Sequence, residues 1–217
     1  MSDPAAGDRP MDWVAWHTDY EDDSPLRRRL AIVQGYIVAA LERVERSPVR
    51  VISMCAGEAR DLRGALERVE RRDLVGRLVE LDAGLAALAR AGLVSLGVAG
   101  IEVVAGDAGD MGAYRAAAPA DLVLECGVFG NISNDDVERT VRASPVLCAP
   151  GATLIWTRHR RPPDLTDAIR RWFTESGFSE IAFERVPDSN GSVGVARYDG
   201  PAVELVEQPL FTFTRTG

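Results

Sequence analysis

Residues 49–62 read VRVISMCAGEARDL. Val49–Met54 is apolar at nearly every position, as expected of a strand buried on both faces. The small residues Cys55, Ala56 and Gly57 then permit a tight turn, and a helical run begins at Ala59. In a sheet built from such strand–turn–helix units, the turn lies where ligands bind, outside the carboxyl end of the strand. A nucleotide-binding turn, however, normally reads G-x-G-x-x-G, and Gly57 is the only glycine in this one. The rest of the chain has to say which ligand suits it.

Outward from this unit, strand and helix alternate. The pattern predicts a helix over residues 59–69, a strand over 77–81, a helix over 85–91 and a strand over 101–105. A short irregular connection leads to a strand over 121–125. A helix follows from about Asp135, capped by Ser133, then a strand over 152–157 and a helix over 165–176. Before the unit, Ser24 and Pro25 start a helix whose apolar stripe is Leu30, Val33, Ile37, Leu41 and Val44. After it, the segments 181–183, 193–198 and 210–214 read as strands with no helix between them, which predicts antiparallel pairing at a sheet edge. The expected fold is a doubly wound, mostly parallel seven-stranded α/β sheet. Helices cover both faces, the C-terminal edge is antiparallel, and a helical cap precedes the sheet. One domain is expected over residues 1–217, with a frayed tail at 1–12, a cap segment and helix at 13–46 and the core at 49–217.

Composition narrows the function. With 46% hydrophobic residues the 217-residue chain can bury a substantial core. A net charge of −8 argues against a broad nucleic-acid-binding face. No apolar run approaches the roughly 18 residues of a membrane span, and the N-terminus lacks the apolar core of a secretory signal. Cys55, Cys126 and Cys148 have no CxxC spacing and there are only two histidines, so no metal site is expected. Reduced thiols and a cytoplasmic location are the simplest reading.

The residues just past each strand are the candidates for the site. They are Cys55, Ala56, Gly57 and Glu58 after the first strand, and Glu80, Leu81 and Asp82 after the second. Gly106, Asp107 and Ala108 follow the third, and Glu125, Cys126, Gly127, Val128 and Phe129 the fourth. Gly57 leaves room for a ligand to approach the backbone; a plain turn glycine is the bland alternative. Glu80, 23 residues beyond Gly57, has the spacing at which a carboxylate accepts hydrogen bonds from both ribose hydroxyls. Asp107 is placed to accept from an exocyclic adenine amine, or else to close an Asx turn within GDAGD. With Glu125 these make three carboxylates on one rim. A dinucleotide is disfavoured, because Glu58 stands where a pyrophosphate would come.

Taken together, VRVISMCAGEARDL, GRLVELDAGLAALARA, VVAGDAGD, ADLVLECGVFGNI and VLCAPGATLIWTR resemble the successive motifs of the class I S-adenosylmethionine-dependent methyltransferases. The likeness runs from about Val49 to Thr157. It implies that Met54, Cys55, Ala56 and Gly57 carry the methionine part of S-adenosylmethionine. By the same resemblance Glu80 and Leu81 hold the ribose, Asp107 and Ala108 the adenine edge, and Glu125 and Cys126 lie near the sulfonium. The chain departs from the family pattern at Ser53, where an acid is usual, and at Cys55 and Ala59, where glycines are usual.

Nothing resembles the Asn/Asp-Pro-Pro-aromatic motif of nucleic-acid amino-methyltransferases, so a small-molecule acceptor is expected, with neither nucleic acid nor membrane as partner. In similar enzymes the N-terminal segment covers the pocket, which makes Trp16, His17 and Tyr20, with Phe129, candidates for the acceptor site. Packing of these aromatics against the first helix is the competing reading. His159 is read as an exposed loop residue in the basic run TRHRRPP, and no catalytic base is assigned. A second functional class stays open: a methyltransferase-like binding module without activity, suggested by the departures at Ser53, Cys55 and Ala59.

Overall fold

The computed structural model describes residues 24–213. Trp16, His17 and Tyr20 lie outside the described residues. Helix α1 (Pro25–Arg43) starts where Ser24 Oγ accepts from the Arg27 N–H at 3.2 Å and Pro25 takes the first helical position. There follow β1 (Val49–Met54), α2 (Arg60–Leu66), β2 (Leu74–Glu80), α3 (Ala83–Ser95) and β3 (Gly100–Ala105). A single 3-10 turn (Met111–Tyr114) connects to β4 (Ala120–Glu125), and α4 (Asn134–Ala143) follows, capped by Ser133. The chain continues with β5 (Cys148–His159), α5 (Thr166–Glu175), β6 (Phe178–Arg185) and β7 (Gly191–Tyr198).

The seven strands lie in the order β3-β2-β1-β4-β5-β7-β6. β1 to β5 are parallel, and β7 inserts antiparallel between β5 and β6. Alternation along the strands builds a core on each face. Leu122 and Leu124 of β4 meet α1, α2 and α3 through Ile37, Leu62 and Leu93. Val123, between them, faces the other way, with Val137 of α4 and Phe173 of α5. Both faces of β4 are therefore apolar, which is why DLVLE shows no period of two.

Several elements differ from expectation: α3, β5 and β6 run longer than read, at Ala83–Ser95, Cys148–His159 and Phe178–Arg185. Helix α2 ends at Leu66, three residues early, and β2 begins at Leu74 rather than 77, so the chain turns sooner and the strand is longer. Residues 210–213 do not form a strand of the sheet. Around them the chain makes isolated bridges, Asp110 with Pro209 and Ile132 with Phe213, rather than a ladder. β6 already forms the outer edge next to β7, and the adjacent Leu210 and Phe211 are both buried.

The β5–β7 contact is tight. Gly194 pairs with Trp156, and a Cβ at Gly194 would overlap the indole ring. Trp156 in turn stacks on Phe173 with ring centroids 6.0 Å apart. Overpacking of this kind costs about 1–3 kcal/mol. Gly194→Ala should lower the denaturation midpoint accordingly, measured by urea unfolding, with the slope unchanged.

Candidate functional site

The turn after β1 has an unusual backbone. Cys55, Gly57 and Ala59 all have positive φ, at 51°, 55° and 56°. These are the three positions at which glycines are usual in the resembling family, so the conformation persists although two side chains are larger. The left-handed region costs a non-glycine residue roughly 1–2 kcal/mol, so other contacts must hold the turn. Ala56 N–H donates to Val79 O at 3.0 Å and Ala59 N–H to Ala56 O at 2.8 Å. Gly57 N–H donates to Glu80 Oε2 at 2.7 Å.

Glu80 thus ties β2 to the turn. Its second oxygen, Oε1, accepts from the Asp82 N–H at 2.9 Å, and Asp82 caps α3 through the Leu85 N–H at 2.8 Å. A carboxylate has about four acceptor positions, so two such bonds leave capacity for a ligand. Beside it Leu81 is 66% exposed, a large apolar side chain at the rim. Asp107 is exposed, and its Oδ1 accepts from the Gly109 N–H at 2.8 Å, so the Asx turn forms. Ala108 is buried, and its carbonyl accepts from the Tyr114 hydroxyl at 2.9 Å. Burial raises the Cys55 thiol far above its usual value, and the nearby Glu80 and Asp107 carboxylates add to this. The turn and both acids therefore share one rim.

A small open cleft of about 80 Å³ lies beside the turn. Arg29 and Val33 of α1 form one wall, residues 55–58 another, and Cys126, Gly127 and Thr157 the floor. Gly127 N–H donates to Thr157 Oγ1 at 2.9 Å, which fixes the loop after β4 against β5. Burial, with the Asp61 carboxylate adding, keeps the Cys126 thiol well above its usual value, so it is no thiolate nucleophile. Glu58 is paired with Arg60 at 3.1 Å, so its charge is not the bare repulsion to an anion that the sequence suggested. Sequence reasoning missed Arg29, Val33 and Thr157. The first two are four residues apart on α1, so they share one face, and that spacing was the available signal.

Several expected site residues turn inward. Met54 is buried in the core, so only its backbone reaches the rim. Phe129, an expected acceptor contact, is also fully buried, with Trp156 and Phe173 at centroid distances of 6.1 and 6.5 Å. It is a core residue, because the loop folds back onto the helical face. Glu125 is 0% exposed, so the rim carries two of the three expected carboxylates, and the third lies beneath it. His159 is not the exposed loop residue expected. It ends β5 partly buried against Gly130, and burial together with Arg158 and Arg161 holds its imidazole below the usual pKa.

The geometry around Glu125 defines its charge. Ser144 Oγ lies 2.7 Å from Glu125 Oε1 and 2.9 Å from the Thr140 carbonyl. A hydroxyl has one hydrogen, and the shorter contact directs it to Oε1, so Ser144 donates to the carboxyl. Oε2 has no partner among the described residues. Burial, opposed only by the Ser144 contact, pushes the carboxyl up to about 8. Glu125 is therefore neutral at pH 7, and sequence alone did not show Ser144, 19 residues away, as its partner.

No family model matches the sequence, and no curated protein matches it at a significant level. Solved structures do match. The magnesium protoporphyrin IX methyltransferase ChlM of Synechocystis PCC 6803, solved with S-adenosylmethionine bound, aligns at TM-score 0.67 and 11% identity over 87% of this chain and 92% of that one. The CurJ carbon methyltransferase aligns at 0.63 and 14% identity, over 87% of this chain and 59% of that one. An O-methyltransferase family protein from Burkholderia thailandensis aligns at 0.61 and 14% identity, and this chain spans 56% of its length. The fold is that of the class I S-adenosylmethionine-dependent methyltransferases.

Two measurements check this description. Because the folded-state pKa of Glu125 is raised, its contribution to stability is full below the unfolded value of 4.5 and is lost as pH rises toward 8. The loss is on the order of 4 kcal/mol. Glu125→Gln should match the parent in urea unfolding at pH 5, exceed it at pH 8, and show a flatter profile between. At the turn, Cys55→Gly removes the left-handed penalty but loses thiol contacts and frees the unfolded chain by about 0.5–1 kcal/mol. Its melting temperature should stay within a few degrees of the parent, unlike an ordinary buried cysteine truncation.

Proposed function

We propose that the chain transfers a methyl group from S-adenosylmethionine to a small-molecule acceptor. One observation carries the reading: the Glu80 carboxylate is fixed at the rim by the Gly57 N–H, beside a turn with left-handed residues at all three glycine positions of the family. Glu80 would accept from the ribose hydroxyls, with Leu81 against the sugar and base. Asp107 has an oxygen outside its Asx turn for the exocyclic amine, and the Ala108 backbone lies beside it. The backbone at Met54, Cys55, Ala56 and Gly57 would carry the methionine part, facing the cleft. Glu125 and Cys126 would contribute through their backbone at its floor.

The cofactor supplies an electrophilic methyl on a sulfonium. Two rim carboxylates suit that cation, whereas a pyrophosphate would meet them unfavourably. The residues lining the cleft would hold the acceptor in line with the methyl, and alignment of that kind is the main source of rate for a bound pair. The alternative, an inactive binding module, rests on the departures at Ser53, Cys55 and Ala59. Cys55 and Ala59 keep the backbone of the glycine turn, so Ser53, which is buried, remains the one departure with a consequence: it leaves the cofactor amine without an acid there.

Calorimetry with S-adenosylhomocysteine tests the reading. Hydrogen bonds to a charged group contribute roughly 1.5–3 kcal/mol, so Glu80→Gln should weaken binding about tenfold to somewhat over a hundredfold. Asp82→Ala, which removes the cap of α3, should instead lower stability by about 1 kcal/mol and spare affinity. Equal affinity in Glu80→Gln and the parent would contradict the assignment.

A further inference from the structure

The connections between parallel strands carry α-helices at three of the four crossovers. The exception is β3 to β4, which has only the 3-10 turn Met111–Tyr114. Its backbone groups need partners from elsewhere, and the C-terminal segment provides them. Leu210 N–H donates to Gly109 O at 2.7 Å, and Met111 N–H donates to Gln208 O at 3.4 Å. The same segment is anchored to α4: Thr212 N–H donates to Asp136 Oδ2 at 3.3 Å, and Thr140 Oγ1, whose hydrogen goes to the Asp136 carbonyl at 2.7 Å, packs 3.3 Å from Leu210 O. Leu210 and Phe211 are buried. A Cβ at Gly109 would overlap the Phe211 carbonyl, so glycine is what lets the two backbones meet.

Gly109 also donates its N–H to Asp107 Oδ1. A continuous path thus runs from α4 through residues 208–213 to Gly109 and on to the carboxylate at the end of β3. We propose that residues 208–213 form a positioning strap for the nucleoside end of the site, standing in for the missing crossover helix. By fixing Gly109, the strap aims the outer oxygen of Asp107 at the exocyclic amine of a purine, and so sets the preference for adenine over hypoxanthine. This rests on the reading of the rim as an S-adenosylmethionine site.

The test compares S-adenosylhomocysteine with S-inosylhomocysteine, which lacks that amine, by calorimetry on the full chain. A hydrogen bond between the amine and a carboxylate should give the parent a preference of about ten- to a hundredfold for the adenosyl ligand. Gly109→Ala, whose Cβ would meet the Phe211 carbonyl and also crowd Asp107 Oδ1, should reduce the preference to within about threefold. Asp136→Ala, which removes the acceptor of the Thr212 N–H far from Asp107, should reduce it partway and separates release of the strap from crowding at Asp107. Glu80→Gln should weaken both ligands alike and leave the preference intact. A parental preference retained in a folded Gly109→Ala or in Asp136→Ala overturns the strap's role while leaving the cofactor reading in place. Absence of binding of either ligand to the parent at millimolar concentration overturns both.

Discussion

The bond from the Gly57 N–H to the Glu80 carboxylate joins the two halves of the candidate site. It closes the turn after β1 onto the end of β2, and with the Ala56 N–H on Val79 O it holds a backbone that Cys55 and Ala59 would not adopt unaided. Three left-handed residues at alternate positions keep the turn short. α2 therefore starts immediately, its buried Leu62 and Leu66 packed on the sheet, and the turn remains open toward the cleft. The same carboxylate steers the chain into α3 through the Asp82 N–H.

The two faces of the sheet divide the work. On the α1 side the cleft is lined by backbone, small residues and Arg29. On the other side, packing beneath the rim is dense, and the fully buried Glu125 is neutral because burial disfavours its charge. A charged Glu125 there would lack a countercharge, since no cation is among its contacts.

Much of this was legible in the sequence, for identifiable reasons. β1 runs from Val49 to Met54 as read, because small residues at 55–57 end it sharply. Ser24, Asp82 and Ser133 cap helices where their side chains can reach the third N–H beyond. Glu80 reaches the rim because the apolar run of β2 ends there. The direction of Glu125 was not legible, since a strand buried on both faces carries no alternation to reveal which way a side chain points. Phe129 was misassigned because an apolar residue after a strand fits a pocket wall and a core equally well. Residues 210–213 are apolar and aromatic like a strand, but the edge they would extend is occupied by β6, and that competition is a property of the whole sheet.

The most direct test of the account is a crystal structure of the chain with S-adenosylhomocysteine. The account requires the ribose hydroxyls on Glu80, the adenine amine at Asp107 and the homocysteine along residues 55–57, with the turn unchanged. A ligand bound elsewhere, or one whose ribose leaves Glu80 bonded to Gly57 and Asp82 alone, would contradict it.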